Sequence, residues 1–183
     1  MDIVVSLLTL IVGIPLIIIF SILIVLETPG PAFYTQERLG KDGKVFNLYK
    51  LRSMVIDAEK NGAQWASKDD KRISKVGKVI RKARIDELPQ LFNVLKGDMS
   101  FIGPRPERQI FVEEFSKEMP EFVERLQVKP GLTGWAQVNG GYDLSPREKW
   151  ELDMYYINNR SFKLDMIIML KTIKVVFTGE GAR

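Results

Sequence analysis

Between Ile3 and Leu26 the chain reads IVVSLLTLIVGIPLIIIFSILIVL, an apolar run with no charged residue. About 20 such residues are enough for a helix to cross a hydrocarbon core, so the run predicts a membrane helix. A cleaved signal peptide is the competing reading, but the run is too long for one and lacks a basic leader and a small-residue cleavage site. Pro15 falls near the middle, shortly after Gly13. An interior proline removes a backbone hydrogen bond and clashes with the preceding turn, which predicts a break or kink. Each half, at about 12 residues and roughly 18 Å, is shorter than a hydrocarbon core of about 30 Å. A mildly kinked helix spans the bilayer, whereas a strongly bent one enters and leaves on one face. Composition leaves both geometries open.

After the run, PGP at Pro29 to Pro31 stops the helix. AFYTQERL, GKDG and KVFNLYKLRSM then read as a β-hairpin whose second strand carries Lys50 and Arg52. VIDAEKNGAQWASKDDKR is polar and irregular, predicting a short helix and a mobile loop. In KRISKVGKVIRKAR the apolar residues Ile73, Val76, Val79, Ile80 and Ala83 recur at helical spacing, with bases on the other face. This is either a solvated basic helix or one facing anionic headgroups or phosphate. ELPQLFNVLKG predicts a short helix with a Leu88, Leu91, Phe92 and Leu95 stripe, Pro89 in its first turn and Gly97 as its stop. SPREKWELDMYYINN opens on a capping box of Ser145 and Glu148. SFKLDMIIMLKTIKVVF is too charged to span a membrane and predicts a core-packed C-terminal helix, a reading favoured over membrane-surface contact.

Composition narrows the chemistry. The 183 residues include no Cys and no His, and the net charge is +4. Disulfides and thiolate sites are excluded, and an oxygen-liganded ion such as magnesium fits better than zinc. The positive balance favours an anionic partner without naming it. Acid–base or nucleophilic work falls to carboxylates, Lys, Tyr or Arg. ARIDELPQLFN places Asp86 and Glu87 together at the predicted start of a helix, where unpaired N–H groups favour negative charge. Taken alone, the pair reads as a helix cap. Arg81 and Arg84 precede it, and FIGPRPE follows with Arg105 between two prolines. Such a setting suits phosphoryl chemistry: arginines offset transition-state charge, and a carboxylate can hold magnesium or act as nucleophile. No Walker A loop, kinase glycine loop or GxGxxG is present. KPGLTGWAQVNGG is either a structural turn or a loop folding over a base or sugar through Gln137 and Asn139, with Trp135 as platform or as packing.

ETPGPAFYTQERLGKDGKVFNLYKLRSM, ARIDELPQLFNVLKGDMSFIGPRP and KPGLTGWAQVNGG, in this order, resemble the bacterial sugar transferases, the monotopic polyprenyl-phosphate phosphoglycosyl transferases. The resemblance covers nearly the whole chain. It implies transfer of a sugar-1-phosphate from a UDP-sugar to undecaprenyl phosphate with release of UMP. This is the first membrane step in making exopolysaccharide, capsule, O-antigen or glycoprotein glycans. It implies Asp86 as a nucleophile forming a covalent phosphosugar intermediate with magnesium beside it, and Glu87 as its assistant. Arg81 and Arg105 are implied as phosphate ligands, with Lys50 and Arg52 in a further basic motif. The anchor is implied to be re-entrant at Pro15, preceded here by Ile14 where relatives often carry Ser. Many relatives also read NGR where this chain has Gly141.

The expected architecture is therefore α+β: an anchor over 1–28 and a mostly helical catalytic domain with a small hairpin over 29–183. The basic stretch after the anchor places that domain on the cytoplasmic face of the bacterial inner membrane. The expected partners are the two substrates and membrane lipid, not nucleic acid, and a homodimer stays open. One rival reading is a non-catalytic basic module on the membrane surface, acting through residues 71–84. Another is a membrane-bound phosphatase.

Overall fold

The computed structural model describes residues 1–60, 62, 70–141 and 144–178, except the side chain of Phe177. Within the polar stretch expected as a short helix and mobile loop, residues 61 and 63–69 lie outside the described residues. The elements run α1 (Asp2–Glu27), β1 (Phe33–Leu39), β2 (Val45–Leu51), α2 (Lys75–Lys82), α3 (Gln90–Lys96), β3 (Ser100–Ile102), α4 (Gln109–Glu118), β4 (Gly131–Thr133), α5 (Trp135–Asn139), α6 (Pro146–Asn158) and α7 (Phe162–Thr178). The described fold is mostly helical with two small two-stranded sheets.

Pro15 does not interrupt α1, which corrects the expected break: helical structure continues from Asp2 to Glu27. The missing N–H costs one rung of the ladder, and packing along the helix outweighs that loss. Leu10, Ile17 and Ile24 are buried, and Ile17 and Ile24 share a core cluster with Leu51 of β2 and Ile80 of α2. At the far end the Phe101 N–H reaches Asp2 Oδ1 at 3.4 Å. At the near end Glu27 accepts the N–H groups of Lys75 (2.7 Å) and Val76 (2.9 Å), closing the first turn of α2. The opposite face is apolar and exposed, with Leu7, Ile11, Ile18, Ile22 and Leu26 prominent. α1 is long and apolar enough to cross a membrane, and it also forms one wall of the domain core.

β1 and β2 pair antiparallel in the register Tyr34↔Lys50, around a turn in which Asp42 and Gly43 take positive φ. Side chains alternate across a sheet, so Tyr34, Gln36 and Arg38 share a face with Lys50 and Arg52. Ser74 caps α2 by accepting the Gly77 N–H at 2.9 Å.

The structure relocates the acidic pair. Asp86 and Glu87 lie in a 3-10 turn at Ile85–Glu87, ahead of α3, after Arg84 takes φ 54. The N–H groups of Glu87, Leu88, Leu91 and Phe92 are all bonded to carbonyls of residues 84, 85, 88 and 89. Those four donors are therefore not free to face an anion, and the cationic side chains around the turn supply positive field. The buried face of α3 is also not the expected stripe. Leu91 and Val94 are buried together with Gln90 and Asn93, and Phe92 points outward. Asn93 explains the rotation: it accepts from Tyr49 N (3.0 Å) and donates to Asn47 O (2.8 Å), tying α3 to β2.

β3 and β4 form a parallel pair, Ser100↔Gly131 and Ile102↔Thr133, that the sequence pattern did not suggest. Glycine permits the close approach: a Cβ on Gly131 would lie 2.0 Å from Gly103 N. Ser145 and Glu148 form the expected capping box of α6. α7 buries Leu164, Ile168 and Val175, matching the core-packed expectation on one face, while Phe162, Leu170 and Ile173 remain exposed.

Candidate active site

The hairpin, the turn before α3 and the segment after β3 converge on a cavity of about 400 Å³. Lys50 and Arg52 enter from β2, Arg81 and Arg84 from the end of α2, Asp86 from the 3-10 turn, and Arg105 from the Pro-Arg-Pro segment. The distal wall includes Tyr34, Gln36, Arg108 and Phe111.

The two acids are equally buried, each 7% exposed, but differently engaged. Glu87 Oε1 accepts from Arg105 Nη2 at 2.6 Å and lies 3.7 Å from Lys50 Nζ, and its Oε2 lies 3.8 Å from Arg84 Nη1. Burial pushes the Glu87 carboxyl up, but Arg105, Lys50 and Arg84 outweigh it and hold the group well below the carboxylate range. Among the described residues the Asp86 carboxylate makes no hydrogen bond and no ion pair within 4 Å. Burial and the neighbouring Glu87 charge raise its pKa to about 6, against the opposing fields of Lys50, Arg81 and Arg105. Asp86 is thus a buried, ionisable carboxyl at the wall of a cavity lined by cations.

Arg81 donates to Ser53 Oγ at 3.3 Å and lines the cavity beside Asp86. Arg52 also lines it, but its guanidinium donates to Pro29 O and Thr28 O, each at 2.7 Å, clasping β2 to the end of α1. Gln137 lines the cavity; its Nε2 donates to Leu132 O at 3.2 Å, and its buried Oε1 has no partner among the described residues. Asn139, the other amide expected to meet substrate, is not among the residues that line the cavity. It is exposed, donates to Trp135 O at 2.8 Å and accepts from Lys171. The short α5 turns it away from Gln137 and onto α7. Trp135 stacks on Tyr155 at 5.7 Å beneath Lys171, which makes it packing and not a platform.

Sequence reasoning missed Glu107, Arg125, Lys149 and Asp153, a buried charge network in which Glu107 and Lys149 line the same cavity and Arg125 and Asp153 lie behind Arg105. Glu107, next to the Pro-Arg-Pro motif, offered a signal. The other three are scattered in sequence and offered none. Among the described residues no three carboxylates gather as a metal cage. Magnesium is usually held by one or two carboxylates together with substrate phosphates. A free carboxylate at the cavity wall fits such a shared site.

A family model described as bacterial sugar transferase matches residues 1–179. A UDP-N-acetylgalactosamine-undecaprenyl-phosphate N-acetylgalactosaminephosphotransferase of Aeromonas hydrophila is 50% identical over 100% of this chain and 44% of its own length. A putative undecaprenyl-phosphate N-acetylgalactosaminyl 1-phosphate transferase of Bacillus subtilis is 66% identical over 69% of this chain and 70% of its own length. A UDP-glucose:undecaprenyl-phosphate glucose-1-phosphate transferase of Caulobacter vibrioides is 40% identical over 92% and 65%. The chain therefore spans less than half of the Aeromonas relative and about two thirds of the other two. A match over nearly every residue, in motif order, is decisive for kinship: this chain belongs to the bacterial sugar transferase family.

Proposed function

We propose that the protein transfers a sugar-1-phosphate from a UDP-sugar to undecaprenyl phosphate at the cytoplasmic face of the bacterial inner membrane, releasing UMP. The observation that carries this reading is Asp86, buried at the cavity wall among Lys50, Arg81 and Arg105 and without a direct partner among the described residues. An Asp86 oxygen attacks the phosphorus that bears the sugar. The bond to the bridging oxygen breaks, UMP leaves with the electron pair, and an aspartyl-phosphosugar remains. A phosphate oxygen of the polyprenyl acceptor then attacks the same phosphorus, forming the diphosphate linkage and returning the Asp86 carboxylate. Arg81, Arg105 and Lys50 offset charge on the transferring phosphoryl group, and Glu87 fixes Arg105 and Lys50 in place. Asp86, together with the donor phosphates, would hold magnesium, which would supply further charge neutralisation there.

Contact with the domain along the whole of α1 supports an anchor seated from one side of the bilayer, with its exposed apolar face in lipid. UDP-N-acetylgalactosamine is the donor to try first, after the names of two relatives. Purified protein given this donor alone should acquire a phosphosugar on Asp86, seen by intact-mass spectrometry and peptide mapping. Adding undecaprenyl phosphate should discharge it with UMP release. Magnesium-dependent UMP release only when both substrates are present, with no adduct under any quench, would replace the covalent route by direct transfer. Salt-sensitive lipid binding with no UMP release would instead favour the non-catalytic surface module.

A further inference from the structure

The segment carrying Arg105 reads GPRPE, and its prolines have no N–H with which to anchor it. It is held by its carbonyls, four in succession. Pro104 O accepts from Gly131 N at 2.8 Å and Glu107 O accepts from Leu39 N at 3.0 Å. Pro106 O accepts from Arg38 Nη1 at 3.3 Å. Arg105 O accepts from Arg125 Nη2 at 3.0 Å.

Arg125 lies in the 3-10 segment Pro120–Gln127 and is 3% exposed. Its Nε donates to Asp153 Oδ2 of α6 at 3.0 Å, and the Nη2 that holds Arg105 O donates to the same oxygen. Asp153 is 1% exposed. Burying such a pair costs desolvation, and apolar side chains of similar volume often pack there at no loss. What apolar side chains cannot do is hold a carbonyl. The planar guanidinium bridges a carboxylate and a backbone oxygen in one fixed geometry. On the cavity side of the same residue, Arg105 Nη2 meets Glu87 Oε1 at 2.6 Å.

We infer that Arg125, oriented by Asp153, is a positioning residue that sets the Arg105 guanidinium against Glu87 and the transferred phosphate. The inference rests on the reading of Arg105 as a phosphate ligand. Arg125→Lys keeps a cation beside Asp153 but cannot fork to both oxygens. A displacement near 1 Å costs up to about 100-fold in rate, so kcat should fall about 10- to 100-fold, with a smaller rise in donor KM. In an Arg105→Lys background the same change should cost less than about twofold, because residues acting through one group are not additive. The Nε–H NMR signal of Arg105, identified by its loss in Arg105→Lys, should shift or broaden in Arg125→Lys. A wild-type kcat, an equal fold-loss in both backgrounds, or an unmoved Arg105 signal each overturns the inference. If Arg125→Lys fails to fold, Asp153→Asn goes through the same cycle with the same deciding outcomes. A wild-type rate in Arg105→Lys would defeat the phosphate-ligand reading instead, and the NMR comparison would still decide whether Arg125 sets Arg105.

Discussion

Arg105 stands between two buried clusters of acids and bases that share ingredients and differ in outcome. In one, Glu107 is met by Lys149 at 2.8 Å, with Arg38 at 3.7 Å and Arg125 at 3.9 Å, and Asp153 is held by Arg125. In the other, Glu87 is similarly engaged, but among the described residues Asp86 has no direct partner. Burial raises the Glu107 carboxyl, yet its three cations outweigh that and keep it below its ordinary value. Asp86, buried beside a like charge, goes the other way, to about 6. Glu107, ringed by three cations, is held ionised, while Asp153 is pushed up by burial even with Arg125 against it. At Asp86 burial and a like charge act together with no cation in direct contact among the described residues, which suits a group that gains and loses a proton.

The hardest test of that contrast removes the unpartnered acid. Asp86→Asn should reduce turnover by at least about 10⁴-fold, the scale seen when a covalent nucleophile is lost. It should not destabilise the fold. Asp86 binds its proton more tightly folded than unfolded, so its contribution to stability is full below the unfolded pKa near 4 and is lost as pH rises through about 6. At pH 7.5 the amide should therefore melt at least about 2 °C higher than the acid. An active Asp86→Asn, or one that melts lower, would break the comparison.

Glu87 is expected to matter less to chemistry and more to pH. In the wild type, kcat/KM for the donor should rise with the ionisation of Asp86, with an acid limb near pH 6. Glu87→Gln removes the negative charge that disfavours that ionisation, so the limb should move to lower pH. The rate on the plateau should drop about 100-fold, because Arg105 and Lys50 lose the carboxylate that arranges them. A limb that stayed fixed, or moved upward, would uncouple the two acids. The sign for Glu87 itself is opposite to that for Asp86. Its pKa is lowered on folding, so its stabilising contribution is present above the unfolded value and is lost as pH falls.

The scaffold side of the comparison can be probed without touching a charge. Gly131→Ala places a Cβ against Gly103 N, at the crossing that presents the Pro-Arg-Pro segment. Overpacking of this kind costs about 1–3 kcal/mol. It should lower the melting temperature by several degrees and turnover by about tenfold, through displacement of Arg105. A loss of stability with full activity would show that the segment is held by its side-chain anchors alone.

Local patterning carried a good part of this structure. The apolar run, the hairpin with its Gly-rich turn, the capping box of α6 and the Ser-led α2 each follow from short-range spacing, and each is present. Asp86, Glu87, Arg81 and Arg105 were legible because they cluster within 25 positions of one another around prolines that fix their backbone. What could not be read was long-range. The parallel β3–β4 pair joins segments about 30 residues apart through three-residue strands, too short to show alternation. Arg125 and Asp153 look like ordinary helix-surface charges in sequence and become a buried pair only when the 3-10 segment and α6 meet. Pro15 misled for the same reason. Propensity argued for a break, and tertiary packing along α1 overrode it.

The smallest effect is expected where sequence and structure disagree most. Gln137 and Asn139 sit two residues apart in one polar loop motif, and pattern alone treats them alike. In the fold Gln137 is buried and lines the cavity, while Asn139 is exposed and spends its amide on Trp135 and Lys171. Asn139→Ala removes surface hydrogen bonds, each worth about 1 kcal/mol or less, and should leave kcat and donor KM within about twofold of wild type. Gln137→Ala removes a buried side chain that lines the cavity and donates to Leu132 O at 3.2 Å, so it should both raise donor KM and lower the melting temperature. Side-by-side titrations of the two variants with the UDP-sugar decide the matter. Equal losses would mean that α5 moves as a unit onto the substrate, and that the division between its buried and exposed amides does not survive binding.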